Sequence, residues 1–190
     1  SISASDIYVD ARMTGDSLNL SILSRGSDST AIVIDINDVN LTEARINYTD
    51  GRRRLSLSEI KLKMRDFAYS PGHIEGTLRQ LTLTESLRTH LKASLETKFY
   101  ADTSSTYIPR LRLKVGESVV DLYNISATAE ERKIKSFAFG IDEVTITTDD
   151  IALLTSKTLP PHTKVTLRGM VKGSGDKLAA EGLTLKGGTS

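Results

Sequence analysis

The chain has no cysteine, no tryptophan and only four prolines. Nor does it have an apolar run near the ~20 residues that span a bilayer as a helix. The lack of cysteine excludes disulfides and thiolate sites for zinc, copper or iron–sulfur clusters, and leaves the compartment open. The lack of tryptophan, with aromatic residues at 5%, disfavours a sugar-binding sandwich that stacks rings on indoles. A basic excess is also missing: 25 Lys and Arg face 24 Asp and Glu, so nucleic acid is not expected as a partner. Arg52, Arg53 and Arg54 form the one dense basic run, and their place after Gly51 reads as a solvated loop. No stretch has the basic, apolar and small-residue order of a signal peptide. Composition therefore fits a cytoplasmic chain or a piece cut from a longer exported one.

Catalytic constellations are equally scarce. His73, His90 and His162 are far apart and none has a second ligand at metal spacing. Asp149-Asp150 could pair as acid and base, but adjacent acids at a helix start are more often macrodipole partners. Gly173-Ser174-Gly175 lacks the strand–loop–helix setting and the Lys-Ser/Thr ending of a phosphate cradle, and reads as a hairpin turn. No catalytic residue, metal site or cofactor is expected, and the chain does not read as an enzyme.

Period-two alternation is what the sequence does have. Leu87 to Phe99 puts Leu87, Thr89, Leu91, Ala93, Leu95, Thr97 and Phe99 on one face and charged or polar residues on the other. Ile60, Leu62 and Met64 alternate with Lys61, Lys63 and Arg65, and Pro109 to Val115 behaves alike. Turn chemistry marks Gly15-Asp16, Gly26 to Ser29, Asp50-Gly51, Ser70-Pro71-Gly72 and Gly173 to Asp176. One short helix is expected over 149–154, with Thr148 as N-cap and Leu159-Pro160-Pro161 as the stop. With 38% hydrophobic residues and about a dozen strands, residues 1–190 read as a single β-repeat domain.

A repeat spaced 21 residues apart runs through it. Asp38 to Leu41, then Ile46, Tyr48 and Gly51, return as Glu59 to Leu62, then Phe67, Tyr69 and Gly72. A degraded third copy keeps Leu81 and Leu83. Each copy reads as a strand pair, and the gap between its apolar pairs predicts a bulge or bend near Thr42-Glu43 and Arg65-Asp66. Units of this kind stack into an elongated sheet.

These phrases resemble a known family. Val39-Asn40-Leu41 through Ala44-Arg45-Ile46-Asn47-Tyr48 is similar to a recurring phrase of AsmA-like and TamB-like proteins. Thr103 to Leu113 resembles their aspartate-serine-threonine strand ending in proline-x-leucine. The likeness spans most of Val33 to Gly187 and rests on the order and spacing of the phrases. It implies an all-β fold: an elongated, twisted, mainly antiparallel sheet curled into a trough. It further implies an internal segment of a longer, inner-membrane-anchored protein that reaches through the periplasm. The function implied is outer-membrane biogenesis, by shielding phospholipid acyl chains or nascent outer-membrane protein in an apolar groove. An outer-membrane barrel of the Omp85 class is the implied protein partner. The N-terminal anchor and the C-terminal end typical of the family are lacking here, which puts functions that need either in doubt.

Ile46, Tyr48, Leu62, Met64, Phe67, Tyr69, Leu91 and Leu95 are the candidate groove residues, since alternation puts each on the greasy face of its strand. Two rival readings stay open: a structural or adhesive β-repeat module with a closed core, and the sugar-binding sandwich. A slice of a longer trough would also leave edge strands near Ile7–Met13 and Leu178–Leu185, open to edge-to-edge self-association.

Overall fold

The computed structural model of the chain describes residues 1–14, 17–18, 33–50, 53–86, 90–130, 133–155, 159–175 and 177–189. The expected turns at Gly15-Asp16, Gly26 to Ser29 and Gly51, and the strand positions Leu87 to Thr89, lie outside the described residues. Among those described, twelve strands and one helix form. The first strands are β1 (Ile2–Ser5), β2 (Tyr8–Thr14), β3 (Ser17–Leu18), β4 (Ile34–Asp50), β5 (Arg53–Ser70) and β6 (His73–Glu85). Then come β7 (Lys92–Asp102), β8 (Ser105–Val115), β9 (Ser118–Glu130), β10 (Lys133–Thr147), α1 (Thr148–Thr155), β11 (Thr163–Ser174) and β12 (Lys177–Thr189).

All twelve strands belong to one sheet, in which β4 to β12 lie side by side in chain order as an antiparallel meander. The exception is the first edge, where β1 and β2 both run parallel to β4, one after the other along it. Strand order never closes: β12 ends one side and the β1–β3 group ends the other. Substantial contacts join only neighbouring strands, and α1 to β10 and β11, so no second layer of described strands covers either face. A compact chain of this mass exposes about 8,900 Å², whereas this one exposes 13327 Å². Only Ala44, Ile60, Leu91 and Ile141 are buried among the described apolar side chains. The domain is a single layer.

Left-handed backbone in the long strands bends this layer into an open trough. Glu43 and Asp66 have φ of 60° and 51°, at the two places where the sequence predicts a bulge. Register breaks there: Leu41 and Ala44 of β4 face Leu62 and Ile60 of β5, and Arg65 and Ala68 face Thr77 and Glu75 of β6. One strand carries an extra residue at each break, which bends it and raises its twist. Glu59, Asn124, Gly169 and Gly182 also have left-handed φ. Pro109 sits inside β8 opposite Asn124, where its missing N–H falls at an irregular spot in the ladder.

Several expectations need correction. Each 21-residue copy is one long bent strand, not a strand pair, because the chain continues past the bulge without turning. His90 and Leu91, expected inside a strand, precede β7, which starts at Lys92, since His90 adopts a φ of 52° that breaks the pleat. Arg53 and Arg54 belong to β5, paired with Asp50 and Thr49, and are not loop residues. The helix forms where expected, one residue longer at each end than 149–154, but Thr147 caps it: the Asp150 N–H donates to Thr147 Oγ1 at 3.2 Å.

Candidate functional site: an open apolar face

Alternation alone would turn Phe67 and Tyr69 to the face opposite Leu62 and Met64, because the spacing from 64 to 67 is odd. The bulge at Asp66 prevents this. Met64 faces Leu78 and Tyr69 faces Ile74 of β6, and Leu78, Gly76 and Ile74 share one side of an unbroken pleat. An atom added at Gly76 would meet the Phe67 and Phe99 rings, which places Phe67 on the same side. In β4 the bulge at Glu43 likewise keeps Leu41 with Ala44, Ile46 and Tyr48, which face Leu62, Ile60, Leu57 and Leu55. Bulges therefore hold the apolar set on one face while they bend the strands.

Register joins these residues into rows across the sheet. Leu41, Leu62, Leu81, Leu95, Leu113, Val120, Val144, Leu167 and Leu185 stand directly opposite one another in turn, one from each of nine successive strands. Beside it run Val39, Met64, Leu78, Thr97, Leu111, Leu122 and Ile141. Cross-strand aliphatic pairs are the unit of stabilisation in such a sheet. Most of these side chains are only half-buried, because their contacts are sideways and none comes from above.

The eight candidate residues do not form one cluster. Leu62, Met64 and Leu95 belong to the central rows. Ile46 and Tyr48 lie toward one end of the strands, Phe67 and Tyr69 toward the other, because β4 and β5 run antiparallel and the repeat reverses direction. Along β5, the position opposite Tyr48 lies 14 residues from Tyr69, roughly 45 Å of extended chain. Tyr69 is 39% exposed. Leu91 departs most from expectation, being buried just before β7, where its Cδ1 would lie 2.9 Å from a Cβ added at Gly116. It packs under the β8–β9 turn instead of lining the open surface.

That turn is held by a residue read from sequence only as a macrodipole partner. Asp150 is 5% exposed, and its Oδ2 accepts from Glu117 N (3.0 Å), Ser118 N (2.7 Å), Ser118 Oγ (2.6 Å) and Thr147 Oγ1 (2.8 Å). Burial pushes its pKa up, but the hydrogen bonds from Ser118, Thr147 and Glu117 outweigh this and hold it below the ordinary carboxylate value. Asp149 holds the other side of the helix start, accepting from His162 N at 3.2 Å. Thr148 Oγ1 donates to the Pro160 carbonyl at 2.6 Å, closing the Pro-Pro loop. Together these bonds pin α1 across the end of β8 to β11.

The opposite face is polar and largely neutralised over β8 to β11. Asp121 is buried beneath Arg110, which reaches it through Nε and Nη2 at 2.8 Å each, and Arg112 adds a bond at 3.2 Å. Arg110 Nη2 also reaches Asp142 at 2.6 Å. The bond from Arg110 holds the Asp121 carboxyl below its usual range. Toward β2 to β8 the same face dips into a depression of about 1500 Å³, lined by Arg45, Lys61, Thr82, Thr84, Lys92 and Lys114 among others. No group of His, Asp and Glu residues among those described is arranged to hold a metal ion. No helix among the described residues is long and apolar enough to cross a membrane. No family model, curated protein or solved structure matches the chain.

Proposed function

We propose that this chain is a segment of an AsmA/TamB-like envelope protein whose apolar face carries lipid acyl chains. One observation carries the reading: an aliphatic row crosses nine strands, from Leu41 to Leu185, with no described layer over it. A soluble β domain normally buries such a face against a second layer, and an exposed apolar strip of this length marks a ligand or partner surface. The resemblance of Val39 to Tyr48 and of Thr103 to Leu113 to AsmA/TamB phrases supports the same reading. In that setting the segment lies in the periplasm, within a protein anchored in the inner membrane. Its ligand is phospholipid, and an Omp85-class barrel is the receiving partner. The open sheet counts against the rival module with a closed core.

The test places a photo-crosslinking residue at Leu95, in the middle of the row, and at Lys63, on the polar face of β5. Phospholipid should crosslink at 95 and not at 63. Leu95→Glu should keep its strand signal in circular dichroism and lose binding of a fluorescent phospholipid, because on an open face the carboxylate can reach water. Equal crosslinking at both positions, or none at 95, defeats the reading. Leu91→Glu would be a poor choice, since Leu91 is buried near Asp150 and the variant would report on folding.

A further inference from the structure

The apolar face is several rows wide, and β7 shows its width on one strand. Leu95, Thr97, Phe99 and Ala101 stand on the same side of its pleat, over roughly 20 Å of extended chain. Leu95 belongs to the aliphatic row and Thr97 to the row beside it. Phe99 belongs to a third row, in which it stands opposite Gly76, Ile108 stands opposite Ile125, and Phe139 opposite Val171. Ala101 belongs to a fourth, an unbroken line of directly opposed residues from Tyr69 on β5 through Ala101 and Phe137 to Leu178 on β12. Over β5 to β12 the described residues of these four rows include no charged side chain. The Thr97 hydroxyl donates to the Arg110 carbonyl at 3.1 Å, which spends its polarity within the sheet.

Side chains on one face of a sheet stand about 4.8 Å apart across the strands but about 6.8 Å apart along a strand. Each row therefore closes into a ridge, and the wider gaps between ridges form furrows that run across the strands. Glycines would break the ridges, but side chains from the next strand cover them. A Cβ at Gly76 would lie 3.0 Å from Phe99 Cζ and 3.4 Å from Phe67 Cδ2, and one at Gly173 would overlap the Phe137 ring. Four ridges leave three furrows over β5 to β12. A methylene chain is as wide as an extended aliphatic side chain, so each furrow has room for one. A chain laid along a strand would touch only the ridge tops and lose the dispersion contacts that the furrow walls give.

On the basis of the lipid reading above, we propose that acyl chains lie across the strands, one in each furrow, and that the face holds at least three abreast. A two-chain phospholipid takes two adjacent furrows and leaves the third for a chain of a second molecule. Lipids on this face are then side by side as well as in file, and each chain slides along its furrow without crossing a ridge.

The chain has no cysteine, so Leu95→Cys and Ala101→Cys each offer one attachment point for a thiol-reactive alkyl chain of palmitoyl length with a nitroxide at its far end. Paramagnetic relaxation of the amide signals then maps where the tethered chain lies. From position 95 the strongest relaxation should fall in the same row on distant strands, at Leu41 and Leu62 or at Val144 and Leu167, and spare Lys92 and Asp102 at the two ends of β7. From position 101 it should fall at Tyr69 or at Phe137 and Gly173. Gly173 should relax at least threefold faster than Leu167 with the tether at 101, and the order should reverse with the tether at 95. Leu113→Cys, in the same row on β8, replaces Leu95→Cys if that variant loses its strand signal in circular dichroism. Strongest relaxation at Asp102 or Lys92 from position 95 means that the chain lies along the strand, and overturns the proposal. The same relaxed residues from both tethers mean one channel instead of several furrows, and overturn it too. Both of these results leave the lipid reading standing. No relaxation on the sheet from either tether means that the chain stays off the face, and overturns the proposal together with the lipid reading.

Discussion

Removing the Asp150 carboxylate tests a contact in which one oxygen accepts four hydrogen bonds. Asp150→Ala leaves the N–H groups of Glu117 and Ser118 without their acceptor in a part-buried turn. Each such loss costs about 1–3 kcal/mol. The Ser118 and Thr147 hydroxyls can turn to other partners, so the expected total is about 2–5 kcal/mol. Gly116→Ala attacks the same spot from the other side. Its φ of 59° costs a side chain about 1–2 kcal/mol, and the new methyl would overlap the Asp150 carboxylate, adding about 1–3 kcal/mol. In the Asp150→Ala background that overlap is gone, and the backbone cost and the 2.9 Å approach to Leu91 Cδ1 remain. The double variant should therefore be less destabilised than the sum of the singles, by about 1–2 kcal/mol. Urea unfolding followed by circular dichroism suits a chain without tryptophan. The depressed pKa of Asp150 adds a pH signature: its stabilisation is complete above the ordinary carboxylate value and fades as pH falls through the lowered folded value. Additive effects within ~0.5 kcal/mol, or a loss below ~0.5 kcal/mol for Asp150→Ala alone, would refute the latch.

Two further outcomes are expected. Asp102 accepts from the Ser105 hydroxyl and the Ser104 and Ser105 N–H groups, which lower its pKa to about 2. Its hold on the β7–β8 turn should persist down the acid range and fade only as pH falls through that value; a carboxyl titration by NMR with a midpoint near 3.8 would contradict it. At the β12 edge, Leu178 and Leu185 are 71% and 70% exposed, so the chain should self-associate at high concentration. Leu185→Lys should weaken that association with little change in stability, and an unchanged sedimentation profile would count against the edge as its cause.

The fold was legible because its signals are local. Alternation in Ile60 to Met64 and Pro109 to Val115, and turn chemistry at Ser70-Pro71-Gly72, predict strands and a hairpin from a few residues each. Even the bulges at Glu43 and Asp66 show in the sequence, as apolar pairs out of phase. The aliphatic row was not legible beyond Leu62 and Leu95, because its members depend on hairpin register. Leu41 and Leu62 are 21 residues apart, but Leu113 and Val120 are only seven apart across a tight turn. No fixed period links them. The reversal of alternate strands also separates Ile46 and Tyr48 from Phe67 and Tyr69, although their phrases look equivalent. Asp150 does stand in the first turn of α1, as read, but its hold on the β8–β9 turn was not legible, because the N–H donors it accepts from lie more than 30 positions away, at Glu117 and Ser118. The one hint was Gly116-Glu117, a turn dipeptide between two alternating runs.

An open face and a closed pocket differ in what they can do for a lipid. Full removal from water stabilises an acyl chain by ~0.8 kcal/mol per CH₂. A chain lying on a single sheet keeps roughly half its surface outside, so it gains about half as much. For a chain of about 16 carbons that is roughly 6 kcal/mol, a dissociation constant of tens of micromolar. The same chain inside a bilayer gains the full amount. A face of this kind cannot draw a lipid out of a membrane by affinity alone. What it can do is lower the cost of the aqueous path between two membranes, and do so evenly, because each strand from β4 to β12 adds one aliphatic side chain to the row. Even, weak binding favours movement, since a deep pocket would hold the lipid at one point. If the face carries lipid as proposed, the supply must come from a component that loads it, and the direction of movement from whatever removes lipid at the far end.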